Sequence, residues 1–247
     1  MPIQTLKGAL RALLLLAIFF TGAWSHASGL IDDVLFYLPD IQFLAAEHLW
    51  LTAVSGSLAI LVAIPLGVLL SRPSMARWAE SAMQILNVGT TIPTLAVLAL
   101  SMSLLGIGVV PAIFGLFVAT LLPITRNTYA GLKGVSPALK EAAAGIGMSP
   151  TQRLLRVELP NALYVIFAGI RTALAINVGT VPLAFLIGAG GLGELIFTGI
   201  DLYDPVMMLA GAIPTALLAI CVDALVAAIA FLVVPRGVNP ARAAAHA

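Results

Sequence analysis

Cysteine is nearly missing from this chain: Cys221 is the only one, so no internal disulfide can form. It sits in an apolar run and reads as a small packed hydrophobe. Charge is scarce too. Only 9% of the 247 residues are Asp, Glu, Lys or Arg, where a soluble domain carries about 25%. The net charge of +1 removes any bulk electrostatic case for nucleic acid. Histidine is limited to His26, His48 and His246, which lack metal-ligand spacing. No paired carboxylates and no activated nucleophile stand in a polar setting. The reading is therefore a chain that is not an enzyme and that needs neither metal nor cofactor.

What the chain does have is apolar length, with 61% hydrophobic residues. A spanning helix needs about 20 mostly apolar residues, because charges are costly in hydrocarbon. Six segments qualify: 10–27, 50–71, 84–105, 109–125, 161–187 and 206–234. The expected fold class is thus all-α, a polytopic membrane protein of about six transmembrane helices. The distribution of Lys and Arg orients it. With both termini cytoplasmic, 11 of the 12 basic residues lie inside and Arg171 lies within a span. The outer loops then hold Asp32, Asp33, Asp40, Glu47, Glu194, Asp201 and Asp204 and no basic residue. Residues 10–27 also have the make-up of a cleavable signal peptide, with Lys7 and Arg11 before an apolar run and Ser25-His26-Ala27 after it. Either reading leaves the other spans in the same orientation. Residues 28–49 read as an outer amphipathic segment.

The only long polar stretch is 126–160. Ser136-Pro137 and Ser149-Pro150 each read as a helix start, with Ser as N-cap and Pro in the first turn. Gly145 and Gly147 stand between them, where a reversal needs residues tolerant of positive φ. The stretch predicts helix, glycine turn, helix: a compact knob suited to entering a groove.

Within it, Glu141-Ala142-Ala143, three residues, Gly147, nine residues, then Val157-Glu158-Leu159-Pro160 resembles the EAA loop of ABC importer permeases, with Val157 in the usual Ile slot. Flanking runs narrow the resemblance. Leu122-Pro123-Ile124-Thr125-Arg126-Asn127-Thr128-Tyr129 and Gly188-Ala189-Gly190-Gly191-Leu192-Gly193 are similar to the membrane subunits of osmoprotectant importers, the glycine betaine, carnitine and choline branch. The likeness runs from about 48 to 200. It implies a MetI-like ABC permease core over 48–234 within a single permease domain, 1–247. It also implies an ATPase subunit docked on Glu141, Ala142, Ala143, Gly147, Leu159 and Pro160. A second permease subunit, a copy or a paralogue, and an extracytoplasmic solute-binding protein would complete an assembly in the bacterial inner (plasma) membrane. Thr180-Val181-Pro182 departs from the branch by placing a proline where a small or polar residue is expected.

Two helical faces are candidates for the solute path. On the third span Gln84, Asn87, Thr91, Thr94 and Ser101 share about 100° of arc, with Pro93 positioned to bend the helix. On the fifth, Gly169, Ala173, Asn177, Thr180 and Ala184 share about 80°. Both patterns suit close helix packing equally well. A seam between the two faces would give Asn177 its hydrogen-bond partner. Arg171 and Asp223 sit at similar depth on antiparallel spans, which makes a buried ion pair possible; snorkelling of Arg171 and a wet cavity around Asp223 are the alternatives. Gly188–Gly193 follows a membrane helix, so it reads as an outer turn or re-entrant bend rather than a dinucleotide loop. The rival functions are an amino-acid or methionine ABC permease and, from another class, a self-sufficient secondary transporter. The latter usually carries an inverted repeat, for which the chain offers no convincing candidate.

Overall fold

The computed structural model describes residues 26–239 together with Leu15, Leu16, Phe19, Phe20 and Gly22. The first expected span, 10–27, lies largely outside the described residues. In chain order the helices are α1 (Leu30–Phe36), α2 (Leu38–Leu70), α3 (Ala76–Gly89), α4 (Thr94–Leu105), α5 (Val109–Lys133), α6 (Pro137–Gly145), α7 (Pro150–Arg153), α8 (Leu159–Thr180), α9 (Gly193–Asp201) and α10 (Pro205–Val233). No strand occurs among the described residues. Among the described residues, four helical stretches are long and apolar enough to cross a membrane, and the bent pair α3–α4, counted as one span, makes a fifth.

Three boundaries depart from expectation. α2 begins at Leu38, so most of 28–49 is an extension of the span and only α1 stands apart. Pro39 and Asp40 explain the early start. Proline fits the first turn, and an acid there complements the helix dipole. α5 runs through to Lys133, so the polar loop is shorter than 126–160 by eight residues at its start. The third span is not one helix. α3 and α4 meet at 97°, because Pro93 has no N–H to give and biases Ile92 away from helix. The hydroxyls of Thr90 and Thr91 turn back onto the carbonyls of Asn87 and Val88, both at 2.7 Å. They thereby satisfy acceptors that the helix end leaves open. α4, with 12 residues, is only about 18 Å long and cannot cross alone.

α2, α5 and α8 form the centre. Ala59, Ala63, Ile124, Ala162, Ile166 and Ala173 pack together there, fully or nearly fully buried. Small side chains let helix backbones approach closely. Gly67 is one example, since a Cβ there would lie 2.6 Å from Thr128 Cβ. Large apolar side chains such as Leu61, Leu104, Ile220 and Leu232 face outward, as a bilayer-facing surface requires. Cys221, expected to be packed, is exposed on that outer surface.

At the far end of α8 the chain tightens into a 3-10 turn, Val181–Ile187, with Pro182 in its first turn. Gly188, Gly190 and Gly191 then adopt positive φ, and the Gly191 N–H donates to Glu47 Oε2 at 3.1 Å. The glycine run is thus an ordered turn fastened to α2. α9 follows and packs against α10. Asp204 caps α10 by accepting from the Val206 and Met207 N–H groups at 2.9 and 3.0 Å. Its other oxygen accepts from the Tyr37 hydroxyl at 3.0 Å. The Met207 N–H, aided by Tyr37 and Val206, holds the Asp204 carboxyl below its usual pKa of 3.8.

Candidate functional site

The polar loop folds as its serines and glycines predict. α6 ends in a full Schellman motif. Gly147 N–H donates to Ala144 O at 2.9 Å and Met148 N–H to Ala143 O at 3.1 Å. Gly147 supplies the required φ of 84°. Ser149 then starts α7 with a reciprocal capping box, exchanging bonds with Gln152. Ser136 makes no such side-chain bond. Between α7 and α8 lies a π-helical turn, Leu154–Glu158. Leu159 and Pro160 open α8.

Two polar contacts fasten this knob to the helices behind it. Lys140 Nζ donates to Leu132 O at 3.0 Å, on the last turn of α5. Arg72, just past the end of α2, reaches Glu158 at 2.7 Å and also donates to Ser71 Oγ and Val68 O. Glu158 is buried. Ala143 faces inward, while Glu141, Ala142 and Ala144 are exposed. Ile146, Leu139 and Leu155 are also exposed, at 75%, 46% and 58%. Three exposed large apolar side chains on a polar loop are a surface that another protein could cover. Sequence reasoning singled out neither those three residues nor Arg72–Glu158. The signal available for Glu158 was a charge beside a span, inside the motif.

The proposed path residues scatter. Asn87 and Thr91 are exposed at the end of α3 and in the break. Thr94 lines a cleft of about 620 Å³ between α3, α4, α5 and α8, with Thr90, Leu122, Arg126, Asn127 and Ile176 among its walls. Ser101 is buried against Gly115 and donates to Val97 O. The 97° break separates Gln84, Asn87 and Thr91 from Thr94 and Ser101, so the arc drawn on a straight helix is not one face.

The small-residue face of α8 also lies elsewhere than expected. Gly169, Ala173 and Asn177 are buried against α2 and α5. The Asn177 amide donates to Thr120 Oγ1 at 2.6 Å and Ser55 Oγ at 3.0 Å. Its partners therefore come from α2 and α5, not from the third span. Thr180 is half-buried and donates to Asn177 O. His48 Nε2 bonds to Val178 O at 3.0 Å, a second fastening of α2 to α8. The outward face of α8 is instead Tyr164, Ala168, Thr172 and Ile176, at four-residue spacing.

Arg171 and Asp223 do meet. The guanidinium donates to both carboxylate oxygens, at 2.9 and 2.7 Å. The pair is not buried within the chain, since its side chains are 42% and 39% exposed.

A helical bundle with a broken membrane segment and a two-helix knob fastened to it by two polar contacts is the architecture of a membrane permease. The chain belongs to the family of binding-protein-dependent transport system inner membrane components, whose model matches residues 63–234. It is 54% identical over 215 residues to the osmoprotectant import permease protein OsmY of Salmonella typhimurium, covering 87% of this chain and 89% of that protein. It is 43% identical over 200 residues to the glycine betaine/carnitine/choline transport system permease protein OpuCB of Bacillus subtilis, covering 81% and 91%. Among solved structures, an inward-facing MetNI methionine ABC transporter matches with a TM-score of 0.71 and 26% identity, over 79% of this chain and 99% of that one. Both relatives are named as permease proteins.

Proposed function

We propose that this chain forms, with a second permease subunit, the membrane passage of an ATP-driven importer of quaternary-amine osmoprotectants such as glycine betaine, choline and carnitine. ATP hydrolysis takes place on a separate ATPase subunit, and an extracytoplasmic binding protein delivers the solute. Both termini face the cytoplasm.

The observation that carries this reading is the knob. Its exposed Ile146, Leu139 and Leu155 are oriented by a Schellman turn, a capping box and two polar fastenings. In this reading Glu141, Ala142 and Ala143 sit on the helix that enters the ATPase, and Gly147 turns the chain out of it. Leu159 and Pro160 join the knob to α8. A push on the knob reaches α2 through Arg72–Glu158 and α5 through Lys140. The cleft at the α3–α4 break is the cytoplasmic part of the solute path. Thr94 lines it, Asn87 and Thr91 are exposed on the adjoining helix end and break, and Ser101, Asn177 and Thr180 hold the wall from behind.

The names of the relatives supply the solute class. Uptake of labelled glycine betaine by cells expressing the chain with its partner subunits tests it. Competition by choline or carnitine, and none by methionine or histidine, is expected. Competition by the amino acids alone would assign the chain to the other branch.

A further inference from the structure

The Arg171–Asp223 pair lies where a membrane protein cannot leave charge facing lipid. Arg171 is twelve residues past Leu159 and Asp223 ten before Val233. At 1.5 Å per residue these are about 18 and 15 Å from the helix ends, deep enough to fall within a hydrocarbon layer about 30 Å thick. Charged side chains at that depth face a bundle interior or a water-filled cavity. Yet about two-fifths of each side chain is open to the surroundings of the chain. The opening is a hollow of about 400 Å³, walled by Ala168, Arg171, Thr172, Ala175, Ile176 and Asp223. Ile176 also walls the cleft that holds Thr94 and Arg126. The two hollows are therefore neighbours along one side of α8, and polar groups run along that side.

We infer that this side of α8 and α10 is a wet wall of the passage, and that Arg171–Asp223 is a station at which a zwitterionic solute exchanges charge contacts. The inference rests on the transport reading above and adds to it a site and a specificity. A guanidinium beside a carboxylate presents plus and minus a few ångströms apart. A solute carrying both a carboxylate and an ammonium can lie antiparallel to that pair and make two favourable contacts. A solute that is only a cation makes one. Both permease charges stay compensated when the passage is empty, so no uncompensated charge is stranded within the membrane. Arg171 and Asp223 are specificity-determining residues in this account.

Two arms test it. In a Cys221→Ala background, Thr172→Cys and Ile176→Cys are exposed to a membrane-impermeant thiosulfonate in the assembled complex. Thiosulfonates react with thiolate, which forms in water and not in lipid or a packed interface. Modification is expected at both positions, slowed at least threefold by saturating glycine betaine. Absence of modification at both would overturn the wet wall and leave the face to a partner subunit or to the segment before residue 26. The second arm measures ATP-dependent uptake by reconstituted complexes carrying Arg171→Gln or Asp223→Asn. Arg171→Gln should lower the maximal rate for glycine betaine and carnitine at least tenfold and that for choline less than threefold, with assembly and ATPase stimulation retained. Asp223→Asn should lower all three. Equal losses for all solutes in Arg171→Gln, or loss of assembly in each single variant with recovery in the double, would make the pair a packing element and overturn the inference. If the unsubstituted complex takes up no quaternary amine, the transport reading fails, whereas the labelling arm without solute still decides whether the face is wet.

Discussion

Arg72 and Glu158 stand 86 residues apart in the chain and meet at 2.7 Å, one at the end of α2 and the other in the π-helical turn before α8. The bond closes a triangle of span, knob and span. Breaking it should loosen the knob without unfolding the core, because Ala59, Ala63 and Ile166 pack independently of it. Glu158→Ala is expected to cost about 1.5–3 kcal/mol, the range for a hydrogen bond to a charged group, and Glu158→Gln less. Thermal unfolding in detergent measures the cost. Solute moved per ATP hydrolysed should fall in both variants, and an unchanged ratio would remove Arg72–Glu158 from the coupling path.

Gly147 takes φ of 84° with open space around its α-carbon. Gly147→Ala therefore meets no clash, only the backbone penalty of about 1–2 kcal/mol for a left-handed L-residue. Gly147→Asp adds a charge beside exposed Ile146. Capture of the ATPase by the permease should weaken in the order Gly147→Ala, Gly147→Asp, Ile146→Asp. The last is expected to weaken it at least tenfold, as for loss of an apolar anchor. Glu141→Ala should have a milder effect. Unchanged capture with Ile146→Asp would show that the ATPase docks elsewhere.

Asn177 is buried and donates to hydroxyls on two other helices. Asn177→Ala removes both bonds and leaves a small void. Ser55 and Thr120 each keep a donated bond to a carbonyl four residues back, Leu51 O and Leu116 O, which limits the damage. Inter-helix hydrogen bonds in membranes are worth about 0.6–1.7 kcal/mol, so a total loss of about 1–3 kcal/mol is expected in thermal unfolding. Selectivity among solutes should not change.

The Tyr37–Asp204 contact gives a pH prediction. The Asp204 pKa is lowered in the fold, first by the Met207 N–H and then by the Tyr37 hydroxyl and the Val206 N–H. A depressed carboxyl contributes stability above its unfolded pKa, and that contribution is lost as pH falls through the folded value. The loss should therefore fall below about pH 4. Asp204→Asn keeps an oxygen to cap α10 but cannot titrate. Melting curves of the two proteins should differ at pH 6–7 and converge toward pH 3. The Tyr37 pKa is raised by the same hydrogen bond, so its contribution is complete below about pH 10 and fades at more alkaline pH.

The sequence made the membrane class, the knob and the meeting of Arg171 with Asp223 legible, for physical reasons. Apolar length marks spans, Ser-Pro and glycine mark the ends of short helices, and two charges at equal depth on antiparallel helices attract. It did not make helix rotation legible. Gly169, Ala173 and Asn177 form a stripe, but small residues serve packing and path lining alike, and only the neighbours on α2 and α5 decide. Pro93 announced a bend, yet its size moved Ser101 off the face that holds Asn87. Arg72–Glu158 was invisible because nothing local in either segment points to the other.

The most direct measurement of the account is ATP-dependent uptake of radiolabelled glycine betaine into proteoliposomes containing this chain with its ATPase and second permease subunit, with the solute-binding protein supplied at the extracytoplasmic face. The account predicts uptake that requires ATP, the ATPase and the binding protein together, and that Ile146→Asp abolishes. Uptake that proceeds without ATP or without the ATPase, driven by an ion gradient alone, would contradict it.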